Sequence, residues 1–485
     1  MMNKFLDQKM IPILETNRGC PFSCSFCVWG ASALNKLKTY SLNRVYAELE
    51  YVSNYGVVFP QIYFADANFG ILKRDVEIAQ EIRRLYDETK SFYAIEMYWS
   101  KSAQPHMLDI GKALGSLSHT YVAFQSLDPE VLKGMKRTNI GIDRLAYLIE
   151  GLREYSHSAQ TDILLGSPGE TVESHLRSLD GVLSFGIDHI RGGEIQLLPG
   201  SELDTQAMRD EHDIHTKYRY FEGCAGVYRG ELVYELQEVI RGTSTMTEAE
   251  MKQLRVLRTF FFGAVTIGEL KPLVYIMRHL EKSMTKVIDR ALTIAKSDKT
   301  LAPFLTWVEG LVNEEFFETR EAAAEHLKVS ENRELIVNSG FFKLNFGVSA
   351  RLSLNKDECD AYYECLKQAL LIELAGDVSQ TTIDEILNFC RGRNFIANLI
   401  AGDNHNSFSV NVSEETSRLT HLSGYLRHER KTLPNEISFE LDPMTAKQIQ
   451  DYVSSVNKPL TFFSVSQVYQ MNWGRTYMEA ASFSG

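Results

Sequence analysis

From residue 11 to about 203, short apolar runs alternate with longer amphipathic stretches, and this rhythm constrains the fold more than any other feature. "IPILET", "QIYFAD", "SFYAIEMYW", "TYVAFQSL", "QTDILLGSPGE" and "DHIRGGEIQLLPGSEL" read as strands, and helix-patterned segments separate them. In "SLNRVYAELEYVSNYG", Ser41 is placed to cap a helix whose Val45, Leu49 and Val52 recur at helical spacing. In "KRDVEIAQEIRRLYDET", Val76, Ala79, Ile82 and Tyr86 mark the expected buried side. Strands alternating with helices imply βαβ units and a parallel sheet, so residues 1–205 form an α/β domain. Six strands fit an open doubly wound sheet or an incomplete barrel, and both gather ligands at the carboxyl ends of the strands.

The rhythm stops after residue 205. Residues 206–340 read as a mainly helical extension, with Thr247 and Glu250 as a capping box. Residues 341–485 read as a small α+β unit with "SFSVNVS", "EISFELD" and "LTFFSVSQVY" as strands. A formal net charge of −12 opposes nonspecific nucleic-acid binding and adhesion to anionic membranes. No apolar run approaches the ~20 residues of a membrane span. Asp7, Gln8 and Lys9 interrupt what would be a signal-peptide core, so a cytoplasmic location is expected.

Three of only seven cysteines crowd into "RGCPFSCSFCVWG", directly after the first strand. The other four, Cys224, Cys359, Cys365 and Cys390, are scattered, which argues against a disulfide framework. Structural zinc takes four ligands, usually from C-x2-C pairs. Cys20, Cys24 and Cys27 are spaced C-x3-C-x2-C with no fourth ligand nearby, the next downstream being His106. Buried structural cysteines are the bland alternative, but Pro21, Ser23 and Ser25 between them do not read as core. A cubane iron–sulfur cluster takes thiolates, normally four, so three would leave one iron open.

With Phe26 before its last cysteine, this motif resembles that of the radical S-adenosylmethionine superfamily, and the resemblance covers residues 8–205. It implies a partial (β/α)6 TIM-like barrel in which Cys20, Cys24 and Cys27 hold a 4Fe-4S cluster. S-adenosylmethionine would chelate the fourth iron. A one-electron donor such as flavodoxin or ferredoxin would drive its cleavage to a 5′-deoxyadenosyl radical, which abstracts hydrogen from a substrate. Phe26 would pack against the adenine. "YFADANFG" puts Asp66 and Asn68 where the superfamily's Gly-Gly-Glu stretch contacts the methionyl amine, although an Asx turn would also use them. Gln125 and Ser126, ending the fourth strand, would reach the ribose. Gly166 and Pro168 of "LLGSPGET" would shape the pocket floor. Gly192, Gly193 and Glu194 spell the amine-binding triplet, but on the sixth strand, where that role does not transfer.

"ETNRGCPFSCSFCVWG", "IYFADANFGILKRDVEIAQEI", "DILLGSPGET" and "RGTSTMTEAEM" more narrowly resemble the radical domain of the cobalamin-binding branch. With 19 residues ahead of Cys20, that branch's N-terminal cobalamin domain is expected to be missing. The primary expectation is therefore epimerisation of a ribosomally made peptide, with Cys224 in "YFEGCAGVYRG" as hydrogen donor. Radical dehydration, rearrangement or epimerisation of a sugar or nucleotide sugar is an alternative. Methyl transfer with separately supplied cobalamin and a non-catalytic iron–sulfur module are others. The substrate is a small molecule or a peptide in each catalytic case.

Overall fold

The computed structural model describes residues 10–30, 35–101, 104–139, 141–153, 158–338, 344–425, 436–455, 462–471 and 477–480. Two compact units are formed: residues 1–215 with 239–247, and residues 216–238 with 248–485.

In the first unit, the elements run β1 (Ile13–Leu14), β2 (Asn17–Arg18), β3 (Lys38–Thr39), α1 (Leu42–Ser53), β4 (Ile62–Phe69), α2 (Asp75–Thr89), β5 (Ile95–Trp99) and α3 (Met107–Leu114). They continue through β6 (Thr120–Tyr121), α4 (Pro129–Gly134), α5 (Ile142–Arg153), β7 (Ala159–Asp162), α6 (Val172–Ser184), β8 (His189–Arg191) and α7 (Gln206–Glu211). The expected α/β alternation is present, and all six major strands pair in parallel. The ladders do not draw one continuous wall. β1, β4 and β5 make one three-stranded sheet and β6, β7 and β8 another. Among the described residues, one parallel bridge, Ile95 to Ser118, links them. The cause is local: β6 is only two residues long, too short to sustain a ladder on both edges.

Ser41 caps α1 as expected, accepting from the Arg44 N–H at 3.3 Å. Val45, Leu49 and Val52 pack with Ile62 and Phe64 of β4 in the main core. The buried side of α2 is rotated from the expected one: Ile78, Ala79, Ile82 and Leu85 are buried, while Val76 and Tyr86 lie at its edge. β7 and β8 approach closely at Gly192. Its φ is +99°, and a Cβ there would sit 2.3 Å from the Ile163 carbonyl oxygen.

The extension departs from the helical reading at once. A long hairpin, β9 (His215–Tyr228) and β10 (Glu231–Gly242), turns through Arg229 and Gly230, both at positive φ. In the second unit, Leu232, Tyr234 and Leu236 alternate along β10 and pack toward buried Tyr220, Ala323 and Leu327. Helices α8 (Glu248–Phe261) and α9 (Lys271–His279) flank a π-helical turn at Phe262–Ile267. Further on, β11 (Ser407–Asn411), β12 (Glu436–Glu440) and β13 (Glu479–Ala480) form an antiparallel sheet. "LTFFSVSQVY" is not a strand. Residues Phe462–Met471 are a helix, and Val465, Val468 and Tyr469 bury at helical spacing. Its β-branched and aromatic content suits a strand, but tertiary packing overrode that preference. No single helix among the described residues is long and apolar enough to cross a membrane.

Candidate active site

The loop after β1 is held at several points before any metal is considered. Buried Asp66, on β4, accepts from the Thr16 N–H at 2.7 Å, the Asn17 N–H at 3.3 Å and Asn17 Nδ2 at 2.9 Å, and also meets the Thr16 hydroxyl. Arg74 adds a hydrogen bond from Nη2 to the Thr16 carbonyl at 2.8 Å. Further along, the Ser25 N–H donates to the Met135 carbonyl at 3.1 Å, and the Ser25 carbonyl accepts from the Leu203 N–H at 2.8 Å. Gly30 closes the loop where only glycine fits, since a Cβ there would lie 1.8 Å from the Phe22 carbonyl oxygen. We expect Asp66→Ala to destabilise the first unit by about 3 kcal/mol, because it orphans several buried donors. Urea denaturation would show this as a lowered midpoint, and an unchanged midpoint would contradict it.

None of the seven cysteines forms a disulfide. Cys20 and Cys24 are buried and Cys27 is half-buried. Asn68 Nδ2 donates to Cys20 Sγ at 3.2 Å. Lys101 Nζ lies 3.3 Å from Cys24 Sγ, and Arg137 Nη1 lies 3.8 Å from it. Burial pushes the Cys27 thiol up, the Trp29 backbone and Lys101 oppose this, and Cys24 and Cys20 are near enough to add to it. Among the described residues, no three Cys, His, Asp or Glu side chains gather tightly enough for one metal ion. A cubane asks for something else, a separate iron for each thiolate. The donors are all sulfur, and two cations stand beside them to offset an anionic cluster. Two buried acceptors nearby in the fold, Asn68 Oδ1 and Gln125 Oε1, find no hydrogen-bond partner among the described residues. These features fit a 4Fe-4S cluster with a bound polar cosubstrate.

The other sequence-derived candidates fall into distinct surroundings. Asp66 spends both oxygens on the cysteine loop rather than on its own strand end. Gln125 is held at a positive φ of 63° while its backbone bonds Asp162 and Leu164, a strained conformation of the kind that gathers at functional positions. Ser126 turns elsewhere: its hydroxyl lies 3.3 Å from that of Ser178 on α6 and accepts from the Asp128 N–H. Gly166 donates its N–H to Glu170 Oε2 at 2.8 Å, and Glu170 also bonds His175 Nδ1 at 2.8 Å, both acid and imidazole fully buried. The "LLGSPGET" turn is thus closed by its own glutamate. Phe26 packs toward Val131, Met135, Ile195 and Leu197. Glu194 is paired with Arg241. Cys224 lies on β9 in the second unit and is half-buried.

Sequence reasoning missed Lys101 and Arg137. Lys101 lies two residues after β5, so its place at a strand's carboxyl end was a usable signal. Arg137 carried none, since it arrives from the loop after α4. It is anchored by Nε to the Phe124 carbonyl at 3.2 Å and to Asn139 at 3.1 Å. Also missed was a line of polar aromatics across the strands. Tyr63 meets Tyr98 edge-on at 6.3 Å, and Tyr98 meets Tyr121 at 5.0 Å. Tyr121 hydrogen-bonds Asp162, and Arg191 Nε lies 3.8 Å from Asp162. This row runs from β4 to β8 and crosses the gap between the sheets with side chains. Burial raises Tyr121 well above the usual phenol, reinforced by Asp162.

Residues 14–180 match the model of the radical SAM superfamily. The chain is 31% identical over 206 residues to the cobalamin-dependent radical SAM methyltransferase TokK of Streptomyces tokunonensis, which covers 42% of this chain and 30% of that protein. It is 30% identical over 203 residues to the 2-(S-pantetheinyl)-carbapenam-3-carboxylate methyltransferase of Streptantibioticus cattleyicolor, covering 41% and 30%. A solved structure of the methyltransferase TsrM from Kitasatospora setae, with cobalamin and a 4Fe-4S cluster bound, aligns over 41% of this chain and 37% of that one. The TM-score of that alignment is 0.36, at 19% identity. Residues 14–180 are therefore a radical SAM domain, with relatives in the cobalamin-dependent methyltransferase branch. The chain spans about 30% of the length of each of those two relatives.

Proposed function

We propose that this chain is a radical S-adenosylmethionine enzyme acting on a carbon–hydrogen bond of a biosynthetic substrate. The observation that carries this reading is the cysteine loop itself, fixed to β4 with its thiols beside Asn68, Lys101 and Arg137. Cys20, Cys24 and Cys27 would hold three irons of a 4Fe-4S cluster. With S-adenosylmethionine bound there, the cluster supplies one-electron cleavage chemistry that yields an oxidising organic radical. Lys101 and Arg137 offset the negative charge of thiolate ligation. Asn68 Oδ1 and Gln125 Oε1 offer acceptors for the ammonium and hydroxyl groups of the cosubstrate. We read the two sheets as one partial-barrel arc, whose row from Tyr63 to Arg191 would orient substrate and exclude water. An electron donor of the flavodoxin or ferredoxin kind would serve it.

For the net reaction, the two methyltransferase relatives favour methyl transfer, with a corrinoid bound or supplied. Peptide epimerisation is a second reading and rests on Cys224 as donor. Anaerobic reconstitution tests the class: about four iron and four sulfide per chain are expected, with 5′-deoxyadenosine formed on adding dithionite and S-adenosylmethionine. A cluster that forms without ever cleaving S-adenosylmethionine, even with candidate substrates, counts against the reading. Methyl transfer would be seen as S-adenosylhomocysteine and a requirement for cobalamin. Epimerisation would place one solvent deuterium in the product and stop in Cys224→Ala.

A further inference from the structure

A cavity of about 320 Å³ lies within the second unit and belongs to none of the machinery above. Its size is that of a small-molecule site. Glu269 reaches it from just after the π-helical turn Phe262–Ile267, an irregularity frequent at functional positions. The turn brings Gly263 so near that a Cβ there would lie 3.0 Å from Glu269 Oε2. The helix Lys356–Glu373 contributes Cys359, Tyr362 and Tyr363, and Tyr477 arrives just ahead of β13.

Two features of this cavity point to a ligand. The Tyr362 hydroxyl is buried and has no hydrogen-bond partner among the described residues. Such a group usually has one, and leaving it unmade is costly unless something supplies it. The Glu269 carboxyl, 7% exposed, is faced by the hydroxyls of Ser349 and Tyr477 but by no ion-pair partner among the described residues. The nearby cations do not fill that role: Arg391 and Lys356 both pair with Asp360, and fully buried Arg393 donates to the Gly268 and Met478 carbonyls. Around the carboxyl stand neutral groups that feel its charge, namely Cys359, Tyr362 and Tyr363, with Cys390, Tyr469 and Tyr477 from other elements. An anion would meet an uncompensated carboxylate there. No three metal-ligating side chains gather among the described residues. A cation with an organic body matches an acid set among tyrosines.

We propose that this cavity binds a small organic ammonium ion, with Glu269 as its counter-charge and the Tyr362 hydroxyl as a hydrogen-bonding partner. The proposal does not rest on the radical chemistry. Burial pushes the Glu269 carboxyl up to about 7, so the empty site is largely protonated at pH 6 and largely ionised at pH 8. An ammonium ligand needs the carboxylate, and its affinity therefore rises with pH.

The test is calorimetric titration of the full-length chain with benzylammonium, which stays cationic in this range, and with benzyl alcohol, its neutral counterpart. Benzylammonium affinity should rise roughly tenfold from pH 6 to pH 8, following the ionised fraction of a group titrating near 7. Benzyl alcohol should bind at least tenfold more weakly at pH 8 and show no such rise. Glu269→Gln should weaken benzylammonium at least tenfold, and Tyr362→Phe by several-fold. The proposal is overturned if benzylammonium does not bind, if its affinity is flat with pH, or if Glu269→Gln binds it as well as the unmodified chain. The pH response of the unmodified chain decides the matter even if the variant fails to fold.

Discussion

Replacing Cys20, Cys24 or Cys27 singly by alanine should abolish stable 4Fe-4S assembly and lower 5′-deoxyadenosine formation by at least about a thousandfold. Thiols that hold one cluster would act as a unit, so losing one should cost nearly as much as losing all. The neighbouring residues should behave differently. Asn68→Ala and Lys101→Met leave all three ligands in place while removing a contact to Cys20 Sγ or Cys24 Sγ. Outer-shell changes of that kind typically cost 10–100-fold, so both variants should still assemble a cluster. Iron and sulfide analysis, the cluster's visible absorbance and product chromatography together separate the two groups. A cysteine variant that retains both cluster and product would remove the basis of the assignment.

The second large effect concerns folding. Arg241 Nη1 lies 3.2 Å from Glu194 Oε1, and both side chains are 1% exposed. Arg241→Met should destabilise the first unit by about 3–5 kcal/mol, because it strands a buried carboxylate. The double variant Arg241→Met with Glu194→Leu should recover most of that loss, since a well-packed apolar pair often replaces a buried ion pair without penalty. Denaturation followed by a probe in the first unit measures both. Equal loss in the single and double variants would show that the pair's charge is not what matters. The same contact engages the glutamate of the "GGE" triplet inside the fold.

The parts of this protein that were legible in sequence share a short-range cause. The six strands and their helices announce themselves by period. The cysteine loop is recognised by spacing, and the Ser41 cap by residue type. Where the sequence was silent, the decisive interactions were distant. The partners of Asp66 are Thr16 and Asn17, some fifty positions away in the chain, and no local pattern announces them. Ser126 and Gln125 are adjacent, but the positive φ at Gln125 breaks the extended backbone there, and the Ser126 hydroxyl turns to Ser178 and the Asp128 N–H. The β9–β10 hairpin escaped notice because its turn is Arg229–Gly230 rather than a familiar Asn-Gly pair, although Leu232, Tyr234 and Leu236 already alternated. Arg137 could not have been foreseen from its neighbours at all.

The way the cysteine loop is fastened bears on how the enzyme is made. Its anchors are Asp66 against Thr16 and Asn17, Ser25 against Met135 and Leu203, and Gly30 beneath Phe22. None of them involves a thiol. In a zinc finger the metal must organise the chain, and the apoprotein is unfolded. Here the anchors lie outside the thiols, so the loop is expected to keep its shape in the cluster-free chain, and a cluster held by Cys20, Cys24 and Cys27 would enter a cradle already formed.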